Sequence, residues 1–303
     1  MPQVRANGID IEYESFGRDR DPLILLIMGF AAHLLFWPES LCEGLAAKGF
    51  RVVRFDNRDI GKSTHLAGQS APDPRALFAE VMAGRRPDVP YTLDDMADDA
   101  VGLLDALGVE RAHIVGASMG GMIAQLVAIN HAERVKSLIS IMSTTGRRDL
   151  PSGNPETLSA LFRPPNSDSR DDLIKASILV QKALASPGFP SSEAEMRERA
   201  ERRTDRAPFD LGGLARQSAA LIVAQPRNAL LRNVRCPTLV MHGADDPVIP
   251  AAAAKDTAQS IPGAELVIVP GMSHDFPAGL VPIYLKHIGD FVAKVEAERA
   301  AAE

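Results

Sequence analysis

Cysteine and aromatic residues are scarce in this chain, and long apolar runs are missing. Only two cysteines occur in 303 residues, Cys42 and Cys236, far apart in sequence. That rules out a disulfide framework and fits a chain that keeps free thiols, as cytoplasmic proteins do. No apolar stretch reaches the ~20 residues that a membrane helix needs. The opening stretch MPQVRANGIDIEYESFG is polar and strand-like, without the apolar centre of a signal peptide. Basic excess is absent too: 33 Lys and Arg stand against 39 Asp and Glu, a net charge of −6, and the cations are scattered. Nothing here forms a face for nucleic acid or for an anionic membrane. The H-E-x-x-H, C-x-x-C and P-loop patterns are absent, so no metal or other cofactor is expected. The expectation is a cytoplasmic protein, a monomer or homodimer, whose partner is a small molecule.

The chain has material for a core, with 46% hydrophobic residues. PLILLIMG (22–29) is continuously apolar, as a strand covered on both faces would be. FRVVRFD (50–56), RAHIVGA, VKSLISIMST (135–144), PTLVMHG (237–243) and AELVIVPG (264–271) read as further strands, and IDIEYESFG alternates as a half-buried one. Amphipathic stretches separate them: WPESLCEGLAAKG with Gly49 as its stop, and TLDDMADDAVGLLDALGV (92–109) with Thr92 as its cap. MGGMIAQLVAINHAERV, AAAAKDTAQSIPG and a closing helix over about 278–300 complete the series. This alternation predicts an α/β fold with a mostly parallel central sheet flanked by helices. It breaks twice. Residues 64–91 are irregular with one short helical run at PRALFAEVMAG, and 147–235 hold polar loops and helical stretches but no convincing strand. The division that follows is 1–146 as the first part of the core, 147–235 as a helical insertion, and 236–303 as the second part.

The chemistry centres on AHIVGASMGGM (112–122), where GASMG matches G-x-S-x-G. A buried strand precedes it and a helix follows, the setting of a nucleophile elbow. Ser118 needs a base, and the base needs an orienting acid. The acid and then the histidine should follow the serine along the chain. Of seven histidines, His33, His65 and His113 precede Ser118; His131 and His287 lie on helices and His242 inside a strand. His274, in VPGMSHDFP just after the last strand, is the candidate base. GADDPVIP offers Asp245 and Asp246, and spacing does not separate them. Two backbone N–H groups should hold an oxyanion: Met119, directly after the serine, and Phe30, with Gly29 as the close alternative. Gly29, Phe36 and Trp37 are candidate substrate contacts; for Phe36 and Trp37 the rival role is packing at a helix start. Met122 and Met142 read as core.

MGF…W, FDNRDIGKST, GASMGG, GADDPVIP and GMSH occur in order over nearly the whole chain. Together they resemble the α/β-hydrolase superfamily, and within it serine esterases similar to aclacinomycin methylesterase. The resemblance implies the α/β-hydrolase fold with a helical cap at 147–235, and it carries the acid onto Asp246, which precedes Pro-x-x-Pro. It implies hydrolysis of a bulky ester, such as a polyketide ester, through an acyl-enzyme on Ser118. The alternatives are a lactone or macrolide substrate, or a ligand-binding protein that has lost turnover. Two departures stand out: Met28-Gly29 where many members have His-Gly, and Asp59 where many have Gly. Arg58 and Asp59 are expected to form a loop network near the site.

Overall fold

The computed structural model describes residues 1–301, and its sheet is built from the apolar runs. Eight strands form it: β1 (Gln3–Ala6), β2 (Ile9–Phe16), β3 (Leu23–Ile27), β4 (Arg51–Phe55), β5 (Ala112–Ala117), β6 (Val135–Ile141), β7 (Thr238–Gly243) and β8 (Glu265–Val269). Their spatial order is β1-β2-β4-β3-β5-β6-β7-β8. β2 runs antiparallel to β1 and β4, and every pairing from β4 to β8 is parallel. The central strands are apolar on both sides because both sides are covered. In β3, Leu25 and Ile27 join one core cluster, while Ile24 and Leu26 join the other. The strand at the sheet's edge, β1, is short and largely exposed, within the opening stretch whose sequence is polar and strand-like.

Helices α1 (Glu39–Ala47), α2 (Pro74–Met82), α3 (Leu93–Ala106) and α4 (Met119–Asn130) follow in chain order. Thr92 caps α3 in a reciprocal pair with Asp95, as its sequence predicts. Five helices then separate β6 from β7: α5 (Pro155–Phe162), α6 (Arg170–Leu184), α7 (Glu193–Thr204), α8 (Leu211–Val223) and α9 (Asn228–Leu231). Helices α10 (Ala252–Ser260) and α11 (Val281–Ala300) close the chain. The face with α3 and α4 holds one core cluster, and the face with α1 and α11 holds the other. Cys42 is buried in the second, and both cysteines are free. Among the described residues no helix is long and apolar enough to cross a membrane.

This topology gathers the carboxyl ends of β3, β5, β6, β7 and β8 along one edge. In an open parallel sheet that edge is where a site forms. The loops that carry Phe30, Ser118, Asp246 and His274 all leave from it.

Candidate active site

Ser118 sits between β5 and α4 with φ 56° and ψ −122°, a strained conformation for a residue with a side chain. The glycines around it allow the turn. A Cβ on Gly116 would lie 2.0 Å from the Gly120 carbonyl oxygen, so strand and helix pack this closely only because Gly116 has none. The serine backbone is held by its neighbours: its N–H donates to the Ile141 carbonyl at 2.9 Å, and Ser143 Oγ donates to its carbonyl at 2.7 Å. Ser118 is the N-cap residue of α4, yet its hydroxyl makes no capping hydrogen bond. It faces His274 instead, with Oγ 3.0 Å from Nε2.

The other ring nitrogen of His274, Nδ1, stands 2.8 Å from Asp246 Oδ2. The remaining carboxylate oxygen accepts two backbone N–H groups, from Val248 and Ile249, each at 2.9 Å. The carboxylate is thus fixed in plane, and Nδ1–H donates to it. This tautomer leaves the Nε2 lone pair toward the serine hydroxyl. Burial works against the charge on Asp246, but His274 and His242 outweigh it and hold the carboxyl below the usual carboxylate range. Asp245 points elsewhere: its Oδ2 accepts the Gly271 N–H at 2.8 Å. Neither spacing nor composition separates these two neighbours; the loop geometry does.

His242, which the sequence places only as a strand residue, is a second partner of the acid. Its Nε2 lies 2.7 Å from the Ile249 carbonyl and 3.2 Å from Asp246 Oδ2. The loop of His274 is pinned in turn by the end of α6. Ser273 N–H donates to Ser186 Oγ, His274 N–H to the Leu184 carbonyl, and Ser186 Oγ to Asp275. The inserted helices therefore hold the histidine loop as well as covering it.

The loop after β3 crosses in front of the serine. A Cβ on Gly29 would come within 3.0 Å of Ser118 Cβ. Asn57 Nδ2 donates to the Met28 carbonyl at 2.8 Å, and the Ala31 N–H donates to Gln217 Oε1 at 3.0 Å. The N–H groups of Phe30 and Met119 make no turn, loop or side-chain hydrogen bond among the described residues. Met119 is the first residue of α4, so its N–H also carries the positive end of the helix dipole.

A cavity of about 470 Å³ opens over Ser118. Its walls are mainly apolar and come largely from α5 to α8, with Leu173, Val180, Met196 and Leu214 among the lining residues. Gly29 and Phe36 border it as expected. Trp37 does not: it is fully buried with its ring 4.9 Å from that of Phe276, packed in the core cluster with α1 and α11. Phe36 packs against the same cluster and also reaches the cavity, whereas Trp37 lies wholly inside the cluster. Met122 packs against the core, whereas Met142 is buried and still touches the cavity. Sequence reasoning also missed Arg199, Arg203 and Asp275 on the cavity wall. They sit on helices or loops whose pattern reports solvent exposure rather than an internal void.

Arg58 pairs with buried Asp99 at 2.6 and 2.7 Å, with no contact to the serine. Asp59, at φ 65°, meets Arg216 of α8 at 2.7 and 2.8 Å. Ligand atoms of Asp59, His65 and Asp210 lie within 4.8 Å of one another. Both Asp59 oxygens already face the Arg216 guanidinium, and Asp210 is hydrogen-bonded to His65 at 2.7 Å. The cation of this cluster is thus an arginine.

Comparison with known proteins agrees with this architecture. The chain is 29% identical over 297 residues to rhodomycin D methylesterase DauP of Streptomyces sp. (strain C5), covering 90% of this chain and 92% of that protein. It is 32% identical over 240 residues to the 2-hydroxymuconate semialdehyde hydrolase of Pseudomonas sp. (strain CF600), covering 74% and 78%. Among solved structures, the esterase RhEst1 from Rhodococcus sp. ECU1013 superposes with a TM-score of 0.73 at 22% identity, over 97% of this chain and 98% of that one. The enol-lactonase from Burkholderia xenovorans LB400 gives 0.69 at 24%, over 96% and 100%. At these identities the structures share the fold and no more. The family model described as alpha/beta hydrolase fold matches residues 22–277, and the chain belongs to that family.

Proposed function

We propose that this protein is a serine carboxylic ester hydrolase that works through an acyl-enzyme. The observation that carries the reading is the continuous relay from Ser118 Oγ through His274 to Asp246, at 3.0 and 2.8 Å. In this reading His274 Nε2 takes the Ser118 proton as Oγ attacks the ester carbonyl. Asp246 holds the imidazolium that forms. The Phe30 and Met119 N–H groups receive the oxyanion, and such donors are worth about 100- to 1000-fold in rate. His274 then gives its proton to the leaving alcohol, and later activates the water that cleaves the acyl-serine. Residues 147–235 act as a cap that shuts water away from this chemistry and shapes the pocket.

The cavity and the relatives support a substrate class. A largely apolar space of about 470 Å³ suits a bulky ester, and the methylesterase name of a relative supports an ester over other acyl compounds. A panel of p-nitrophenyl esters, polyketide methyl esters and macrocyclic lactones tests this. Turnover of esters that disappears in Ser118→Ala is expected. Turnover of lactones with none of linear esters would replace ester by lactone, and activity that survives Ser118→Ala would end the serine mechanism.

A further inference from the structure

Arg203 closes the last turn of α7 and lines the cavity. Its guanidinium lies 3.7 Å from the centre of the Phe36 ring. The backbone beneath it is anchored: the His33 ring, through Nε2, meets the Arg203 carbonyl at 3.2 Å, and His33 Nδ1 accepts the Leu35 N–H. The side chain, by contrast, makes no hydrogen bond or ion pair among the described residues. The other arginines of α7 and of the turn after it are all engaged. Arg202 binds Glu39 at 2.7 Å, Arg197 binds Glu201 at 3.1 Å, Arg206 binds Asp56 at 2.7 Å, and Arg199 donates to Gln181 at 3.0 Å.

The carboxylates of the cavity are committed elsewhere. Asp59 serves Arg216, Asp210 serves His65, and Asp275 accepts from Ser186. Arg203 is therefore a cation with no direct ion pair in a mainly apolar space, attracted by the Asp275 carboxylate but not in contact with it. Burial, with the charge of Arg199 adding to it and that of Asp275 opposing it, pulls its pKa down to about 9, which still leaves it charged at neutral pH. An uncompensated charge in such a place is costly and is normally paired. The planar guanidinium fork matches a carboxylate in two parallel hydrogen bonds.

We propose that Arg203 receives a free carboxylate of the substrate, so that the ester this enzyme prefers carries an anionic group away from the scissile bond. The proposal rests on the ester-hydrolase reading for its site, but its first test needs no turnover. Ser118→Ala protein is titrated calorimetrically with 2-naphthoate and with its neutral isostere 2-naphthamide. The acid should bind about 10- to 100-fold more tightly. Adding Arg203→Met should erase that preference, and Arg203→Lys should restore part of it. Equal affinity for acid and amide, or a preference that survives Arg203→Met, overturns the proposal. Melting curves of each variant show that it is folded.

Turnover supplies the second readout. Two ester pairs are compared: p-nitrophenyl adipate with p-nitrophenyl hexanoate, and 3-carboxyphenyl acetate with phenyl acetate. In one pair the anionic-to-neutral ratio of kcat/KM should fall about 10- to 100-fold on Arg203→Met. Ratios unmoved in both pairs overturn the proposal even where Ser118 reacts with a fluorophosphonate. Failure of Ser118 to react would instead sink the ester-hydrolase reading, and the naphthoate titration would still decide on Arg203.

Discussion

Asp59 and Arg216 meet side on, both carboxylate oxygens within 2.8 Å of the guanidinium and both side chains almost wholly out of solvent. The pair joins the loop after β4 to α8, and the next residue of that helix extends the junction. Gln217 donates to the Arg58 carbonyl and accepts the Ala31 N–H, each at 3.0 Å. Breaking a buried pair by removing one partner leaves the other charge uncompensated. Asp59→Asn or Arg216→Met should therefore cost about 3–5 kcal/mol of stability, and the double variant Asp59→Asn/Arg216→Met should cost less than the two losses together. Urea unfolding of the four proteins checks this; a double variant as unstable as the summed singles would refute the coupling.

Gln217 holds the loop after β3 that carries Phe30 and touches neither Ser118 nor His274, so the proposed mechanism makes it a positioning residue. Gln217→Ala should lower kcat/KM by about 10- to 100-fold, since small displacements of aligned donors are costly. The loss should fall mainly on kcat, as befits an interaction with the transition state. A change confined to KM would assign Gln217 to substrate binding instead.

Asp246→Asn should reduce kcat by about 10³- to 10⁴-fold, because an amide there stabilises the wrong imidazole tautomer and loses the charge. Asp245→Asn should leave kcat within about 10-fold, since its carboxylate only caps the Gly271 N–H. Steady-state kinetics of the two variants separate the roles, and an inactive Asp245→Asn with an active Asp246→Asn would reverse them.

Glu296 of α11 meets His113 of β5 at 3.1 Å and Lys136 of β6 at 2.9 Å. The hydrogen bond from His113, with Lys136 adding to it, lowers its pKa to about 2. A carboxyl depressed on folding contributes stability above its unfolded pKa of about 4.3, and that stability fades as pH falls toward the folded value. Glu296→Gln should therefore lower the urea midpoint most above pH 5, with the gap to wild type closing by about pH 2. A gap that stays constant across that range would show that charge plays no part.

Strand positions were legible because a doubly covered strand must be apolar throughout, as in LILLI (23–27). The serine, the histidine and the pair of aspartates were legible because each follows an apolar run at a short turn. What stayed hidden depends on long-range contact. Spacing does not separate Asp246 from Asp245, and only the resemblance points to Asp246; in the structure Asp246 faces His274 across 28 residues, while Asp245 accepts the Gly271 N–H. Trp37 and Phe36 share one core cluster, and Phe36 alone of the two also borders the cavity. Arg203 lies in a run of arginines and glutamates on α7 that reads as a solvated face, yet it and Arg199 both line the cavity. Helices α5 and α8 begin at Pro155 and Leu211-Gly-Gly, starts that look like loop.

Intact-mass analysis after treatment with a fluorophosphonate asks whether Ser118 is the nucleophile. One adduct is expected on the wild-type chain, mapped by peptide sequencing to Ser118, with none on Ser118→Ala and much slower labelling of His274→Ala. An unlabelled wild type, or Ser118→Ala labelled as readily, would contradict that role.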